Sequence, residues 1–125
     1  MKKLRKITLV ATLLAVTISC HKDDEPTPQV IPECGCESLS TGNITETIGV
    51  LKKDSNNNYF IQIGDGLSVS YFYEICNTSF ITLNVPNNGI NVKFTGSLSK
   101  NCKMDEILPP NYNYYNIKLT QIQTQ

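Results

Sequence analysis

The sequence predicts an all-β fold, a small antiparallel barrel of five or six strands, with a β-sandwich as the alternative. Three observations lead there. From about Ile44 onward, apolar residues recur with a period of two in short runs, the mark of half-buried strands. Runs rich in Asn, Asp and Gly separate them, supplying the turns that strands need. No stretch after the N-terminal leader shows the i, i+3, i+4 apolar spacing of an amphipathic helix. The chain has 125 residues, which points to one domain.

In chain order, TIGVLKK places Ile48 and Val50 on one face, and KDSNNN turns the chain. NYFIQI places Tyr59, Ile61 and Ile63 together, and GDG follows. In LSVSYFY, Leu67, Val69, Tyr71 and Tyr73 alternate with Ser68, Ser70 and Phe72. FITLNV groups Ile81, Leu83 and Val85 as a further strand, ended by PNNG. INVKFTG alternates Ile90, Val92 and Phe94 with Asn91, Lys93 and Thr95. YNIKLTQ alternates Tyr115, Ile117 and Leu119 with Asn116, Lys118 and Thr120.

The N-terminus carries an address. Lys2, Lys3, Arg5 and Lys6 precede an apolar stretch from Ile7 to Ile18, too short to span a bilayer and suited to a secretory signal over residues 1–19. Four of the 11 basic residues lie in this leader and none of the 11 acids does, so the chain from Cys20 has seven bases against 11 acids, a charge of about −4. Nucleic-acid binding needs the opposite sign to displace counterions from phosphates. Ile18-Ser19-Cys20 resembles a bacterial lipobox, with Thr17 in place of the usual Leu. The following CHKDDE resembles the export signal of surface lipoproteins of the Bacteroidota. That resemblance implies a lipidated Cys20 carrying acyl chains such as palmitate. It also implies an address in Lys22, Asp23, Asp24 and Glu25, and a position at the cell surface on the outer membrane. Each buried CH₂ of the anchor contributes about 0.8 kcal/mol. Residues 20–37 then form a Pro-rich tether, with Pro26, Pro28 and Pro32 barring helix, and residues 38–125 form the single β-domain. The runs GINVKFTGSL and YYNIKLTQI look like small OB-type lipoprotein domains of the same phylum, which implies an OB-like barrel.

Five cysteines leave an odd thiol in an exported chain; an anchored Cys20 leaves Cys34, Cys36, Cys76 and Cys102 as disulfide candidates, normal in an oxidising compartment. A bond between Cys34 and Cys36 would be strained, so each is expected to reach Cys76 or Cys102; four cysteines permit three connectivities and the spacing does not choose. A four-thiolate zinc site needs a second close pair, which the isolated Cys76 and Cys102 do not supply. No metal or other cofactor is expected.

Catalysis finds little to work with. The single histidine, His21, sits beside the anchor and outside the domain, so no Ser-His or Cys-His pair can form. The domain's acids are Glu46, Asp54, Asp65, Glu74, Asp105 and Glu106, mostly at turns and strand ends. Two of them converging in a cleft would point to hydrolase chemistry. The expectation is a non-catalytic binding or adaptor domain that takes a protein or glycan ligand. Tyr112, Tyr114 and Tyr115, in PPNYNYYN, are its candidate contacts, because aromatic side chains anchor partners or cap barrel ends. The alternative is a disulfide-braced surface inhibitor of a protease, with Lys100 to Pro110 as its reactive loop.

Overall fold

The computed structural model describes residues 26–105 and 108–125. The leader, Cys20, His21 and the expected export residues Lys22, Asp23, Asp24 and Glu25 lie outside the described residues, as does Glu106. Five strands form: β1 (Ser40–Lys53), β2 (Tyr59–Ile63), β3 (Ser70–Ile75), β4 (Ile90–Lys100) and β5 (Tyr112–Thr124). Short 3-10 turns occupy Thr78–Phe80 and Cys102–Asp105. The strands close into a barrel in the order β1-β2-β3-β5-β4, the five-stranded Greek-key arrangement of an OB-like barrel.

The barrel is not wholly antiparallel. Four seams are, but β3 and β5 run parallel, with Phe72 opposite Tyr114 and Ile75 opposite Ile117. A closed ring with an odd number of strands cannot reverse direction at every seam, so one pair must run the same way. The connection after β3 selects that pair by carrying the chain across to β1, where β4 docks.

That connection replaces the strand expected in FITLNV. With β3 paired to β5, the closed sheet offers no edge to a further strand. Ile81, Leu83 and Val85 keep their common face and pack half-buried against the core. Asn77 holds the start of this strap to β5: its amide Nδ2 donates to the Leu119 carbonyl and its Oδ1 accepts from the Leu119 N–H, both at 2.8 Å.

The core consists of Leu51, Ile61, Tyr73, Ile75, Val92, Phe94, Ile117 and Leu119. The inward faces expected of β2, β4 and β5 are those observed. In β1 the phase is opposite. Leu51 and Gly49 are buried, whereas Ile48 on the other face is 57% exposed. In β3, Leu67 and Val69 precede the strand and are exposed, and the buried apolar residues are Tyr73 and Ile75. Long β1 and β4 bend round the barrel through register shifts between Ser40 and Gly42, Ile44 and Thr47, and Thr95 and Gly96. Such bulges tighten strand coiling. At Gly96 a Cβ would lie 2.5 Å from the Lys118 carbonyl oxygen, so the close approach of β4 and β5 there needs glycine.

Two disulfides brace the barrel: Cys34 bonds Cys102 and Cys36 bonds Cys76. They draw residues 34–37, the end of the expected tether, onto the domain. Gly35 between them has φ 97° and donates its N–H to the Lys100 carbonyl at 2.8 Å, so the short Cys-Gly-Cys segment reaches two different strand ends.

Candidate functional site

Alternate residues of neighbouring strands point to the same side of a sheet. On the outer surface of β2, β3 and β5 this rule collects aromatic side chains. Phe72 of β3 stands at the centre. Tyr114 stacks on it at 4.9 Å between ring centroids and 16° between planes. Tyr112 meets it edge-on at 5.2 Å, and Phe60 of β2 lies at 6.4 Å. Glu74 sits opposite Phe60 in the β2–β3 register.

Two loops flank this face. In the β1–β2 turn, Asp54 Oδ1 accepts the backbone N–H groups of Asn56 and Asn58 at 2.8 and 2.9 Å, and Asn57 takes a left-handed φ of 65°. The Asn58 N–H, with smaller help from its side chain, the Asn56 N–H and the Lys103 charge, holds the Asp54 carboxyl below its ordinary range. In the β4–β5 connection, buried Asn101 donates its amide to the Asn116 Oδ1 at 2.9 Å and accepts the Lys103 N–H at 2.9 Å. The adjacent Cys102 is tied to Cys34. These anchors deliver Lys103 to the aromatic face. Its ammonium pairs with Glu74 and lies over the Tyr114 ring, 5.8 Å from the centroid.

Between them is an open cleft of about 240 Å³ lined by Asp54, Phe60, Phe72, Glu74, Lys103 and Tyr114. It shares Asp54, Phe60, Glu74 and Lys103 with a neighbouring cleft of about 190 Å³ that reaches Asn58 and Asn116. The Lys103 and Glu74 side chains are 50% and 38% exposed; ion pairs in such positions contribute about 0–1 kcal/mol.

Of the three tyrosines singled out, the structure brings two to this face. Tyr115, next in sequence, points the other way, stacks on Tyr73 at 5.9 Å and packs against the core. Tyr112 also donates its hydroxyl to the Gly66 carbonyl at 3.3 Å, so it braces the β2–β3 loop as well as lining the face. Phe60 and Phe72 were not foreseen as site residues. The signal for Phe72 is its place on the polar phase of LSVSYFY: an aromatic ring where alternation expects a solvated residue.

Two carboxylates, Asp54 and Glu74, do line one cleft. A general acid needs its carboxyl held protonated near neutral pH. Asp54 is held in the opposite sense. Among the described residues no cluster of His, Cys, Asp or Glu could hold a metal ion. Neither protein-family models nor curated proteins give a match to this chain.

Proposed function

We propose that the protein is a lipid-anchored protein at the surface of the outer membrane whose barrel is a non-catalytic binding module, with the outer face of β2, β3 and β5 as its ligand site. The observation that carries the binding role is the aromatic cluster around Phe72, flanked by the β1–β2 and β4–β5 loops. OB-type barrels take their ligands on the face of strands 2 and 3 between those same two loops. The pairing of the four other cysteines among themselves supports the reading of Cys20 as the anchor. Residues 26–33 are exposed, which suits a spacer. Fully extended, residues 26–33 reach about 25 Å at roughly 3.1 Å per residue.

The test uses intact cells. A photo-crosslinking side chain at position 114 is expected to capture a ligand that the same probe at exposed position 48, on β1, does not. Equal capture at both positions, or none, overturns the binding face. Protease added outside the cells is expected to remove the barrel, and Cys20→Ala to abolish palmitate labelling; a barrel protected until the outer membrane is breached refutes surface display. The disulfide from Cys34 to the base of the β4–β5 connection keeps the inhibitor reading in view. Its test is a panel of proteases, and inhibition lost on cleavage between Lys100 and Pro110 would favour it.

A further inference from the structure

We infer that the cleft on this face is an ammonium site, which the free protein fills with its own Lys103 and which a lysine side chain of a protein partner takes over. The inference rests on the reading of the β2–β3–β5 face as the ligand site and names the chemistry that face selects.

The cleft already holds the group it is built for. Lys103 places its ammonium against the Glu74 carboxylate and over the Tyr114 ring, the two kinds of partner that ammonium groups favour. The placement is anchored: the Lys103 backbone is held by buried Asn101, Asn101 by Asn116, and Cys102 by Cys34.

Charge and shape then narrow the incoming group. Asp54 and Glu74 outnumber the one ammonium among the cleft's lining residues, and about 240 Å³ stays open beside it. With two carboxylates against one ammonium in its lining, the cleft favours a cation over an anion. A sugar needs a bare ring face to lie on. The stacked Phe72 and Tyr114 each cover a face of the other, and Lys103 lies over Tyr114. A slender cationic side chain can instead enter along the rings and replace Lys103 at Glu74. The exchange is easy because the internal pair is half-exposed and water takes up the displaced lysine. A protein is the natural source, since the group the cleft accommodates is itself a lysine side chain.

Lys103 thus acts as a competitor, and the affinity for a ligand falls with the fraction of molecules in which the site is filled internally. Titration of the disulfide-bonded protein with the peptide acetyl-Gly-Lys-Gly-amide, followed through the ring resonances of Phe72 and Tyr114, tests this. Lys103→Ala is expected to tighten binding by up to about fivefold. Glu74→Gln is expected to weaken it, and acetylation of the peptide lysine to abolish it. Melting curves of both variants report whether the barrel is intact. Binding that weakens or stays the same in Lys103→Ala overturns the inference, because Lys103 would then be a ligand-binding group or a bystander. So does failure of the peptide to perturb the rings in either protein. If a neutral oligosaccharide such as maltohexaose perturbs them while the peptide does not, the ammonium assignment falls and the face stands. If position 114 also captures nothing on cells, the face falls with it.

Discussion

Asp54 and Asp65 show how single side chains set this barrel's turns. Asp65 Oδ1 accepts the backbone N–H groups of Leu67 and Ser68 at 2.9 and 3.0 Å and the Ser68 hydroxyl at 3.0 Å. Those donors, the Ser68 N–H foremost, hold its carboxyl below the ordinary value of 3.8, as the Asn58 N–H does for Asp54. A carboxyl lowered by folding stabilises the fold fully above its unfolded value, and the contribution is lost as pH falls through the folded one. Urea midpoints are therefore expected to hold steady from neutral pH to about 4 and to decline below it. Asp54→Asn with Asp65→Asn is expected to flatten that decline; an unchanged acid profile in the double variant removes these residues from the account. At the other extreme, burial pushes the Tyr73 hydroxyl up to about 12 from 10.0, so its contribution is complete below pH 10 and is lost on rising through that interval. The turn role of Asp65 was readable from its place between two glycines; the role of Asp54 beside the cleft was not, because only the folded chain sets it against Phe60 and Glu74.

Among the elements, the strap after β3 departs most from its sequence pattern. The alternation of Ile81, Leu83 and Val85 was legible and real, since all three pack on the core. Their assignment to a strand failed because a strand needs a neighbour with free N–H and C=O groups, and the barrel had none to give. Asn77 supplies the missing connection with one amide, serving both backbone groups of Leu119. Asn77→Ala leaves those two groups without their partners, and an unsatisfied buried polar group costs about 1–3 kcal/mol. The variant is expected to lose about 2 kcal/mol or more in guanidinium unfolding. Asn77→Asp, which keeps the acceptor and loses the donor, is expected to fall between it and the parent. A loss under about 0.5 kcal/mol in Asn77→Ala, the size of ordinary surface changes, would show that water replaces the amide.

For the molecule as a whole, the two disulfides enclose overlapping loops with sequence separations of 68 and 40. On a chain-entropy account each restricts the unfolded state by about 4 kcal/mol, the longer loop by about 0.5 kcal/mol more. The paired substitution of Cys34 and Cys102 with Ala is thus expected to destabilise slightly more than that of Cys36 and Cys76. Removing both is expected to cost more than the sum of the two single removals, because the 36–76 loop lies inside the 34–102 loop and, while closed, shortens the chain that the other bond constrains. Full additivity in denaturant unfolding would point to native-state packing around the bonds. Non-reducing mass spectrometry of freshly isolated protein is expected to find these four thiols oxidised.

Much of this architecture is local and can be read residue by residue. Period-two runs mark β2, β4 and β5 with their inward faces, Asn- and Gly-rich turns separate them, and the cysteine set can be recognised by count. These features depend on neighbours a few positions apart, where side-chain direction and turn chemistry are decided. What required the closed chain is non-local. The parallel β3–β5 seam follows from the parity of five strands in a ring. The phase of β1 follows from bends that accumulate along a long strand, and the cysteine pairing from which ends meet across the barrel. The cleft is of the same kind. Asp54, Phe60, Phe72, Glu74, Lys103 and Tyr114 come from two loops and three strands, and only the closure of β3 against β5 brings Phe72 and Tyr114 face to face with Lys103 above them.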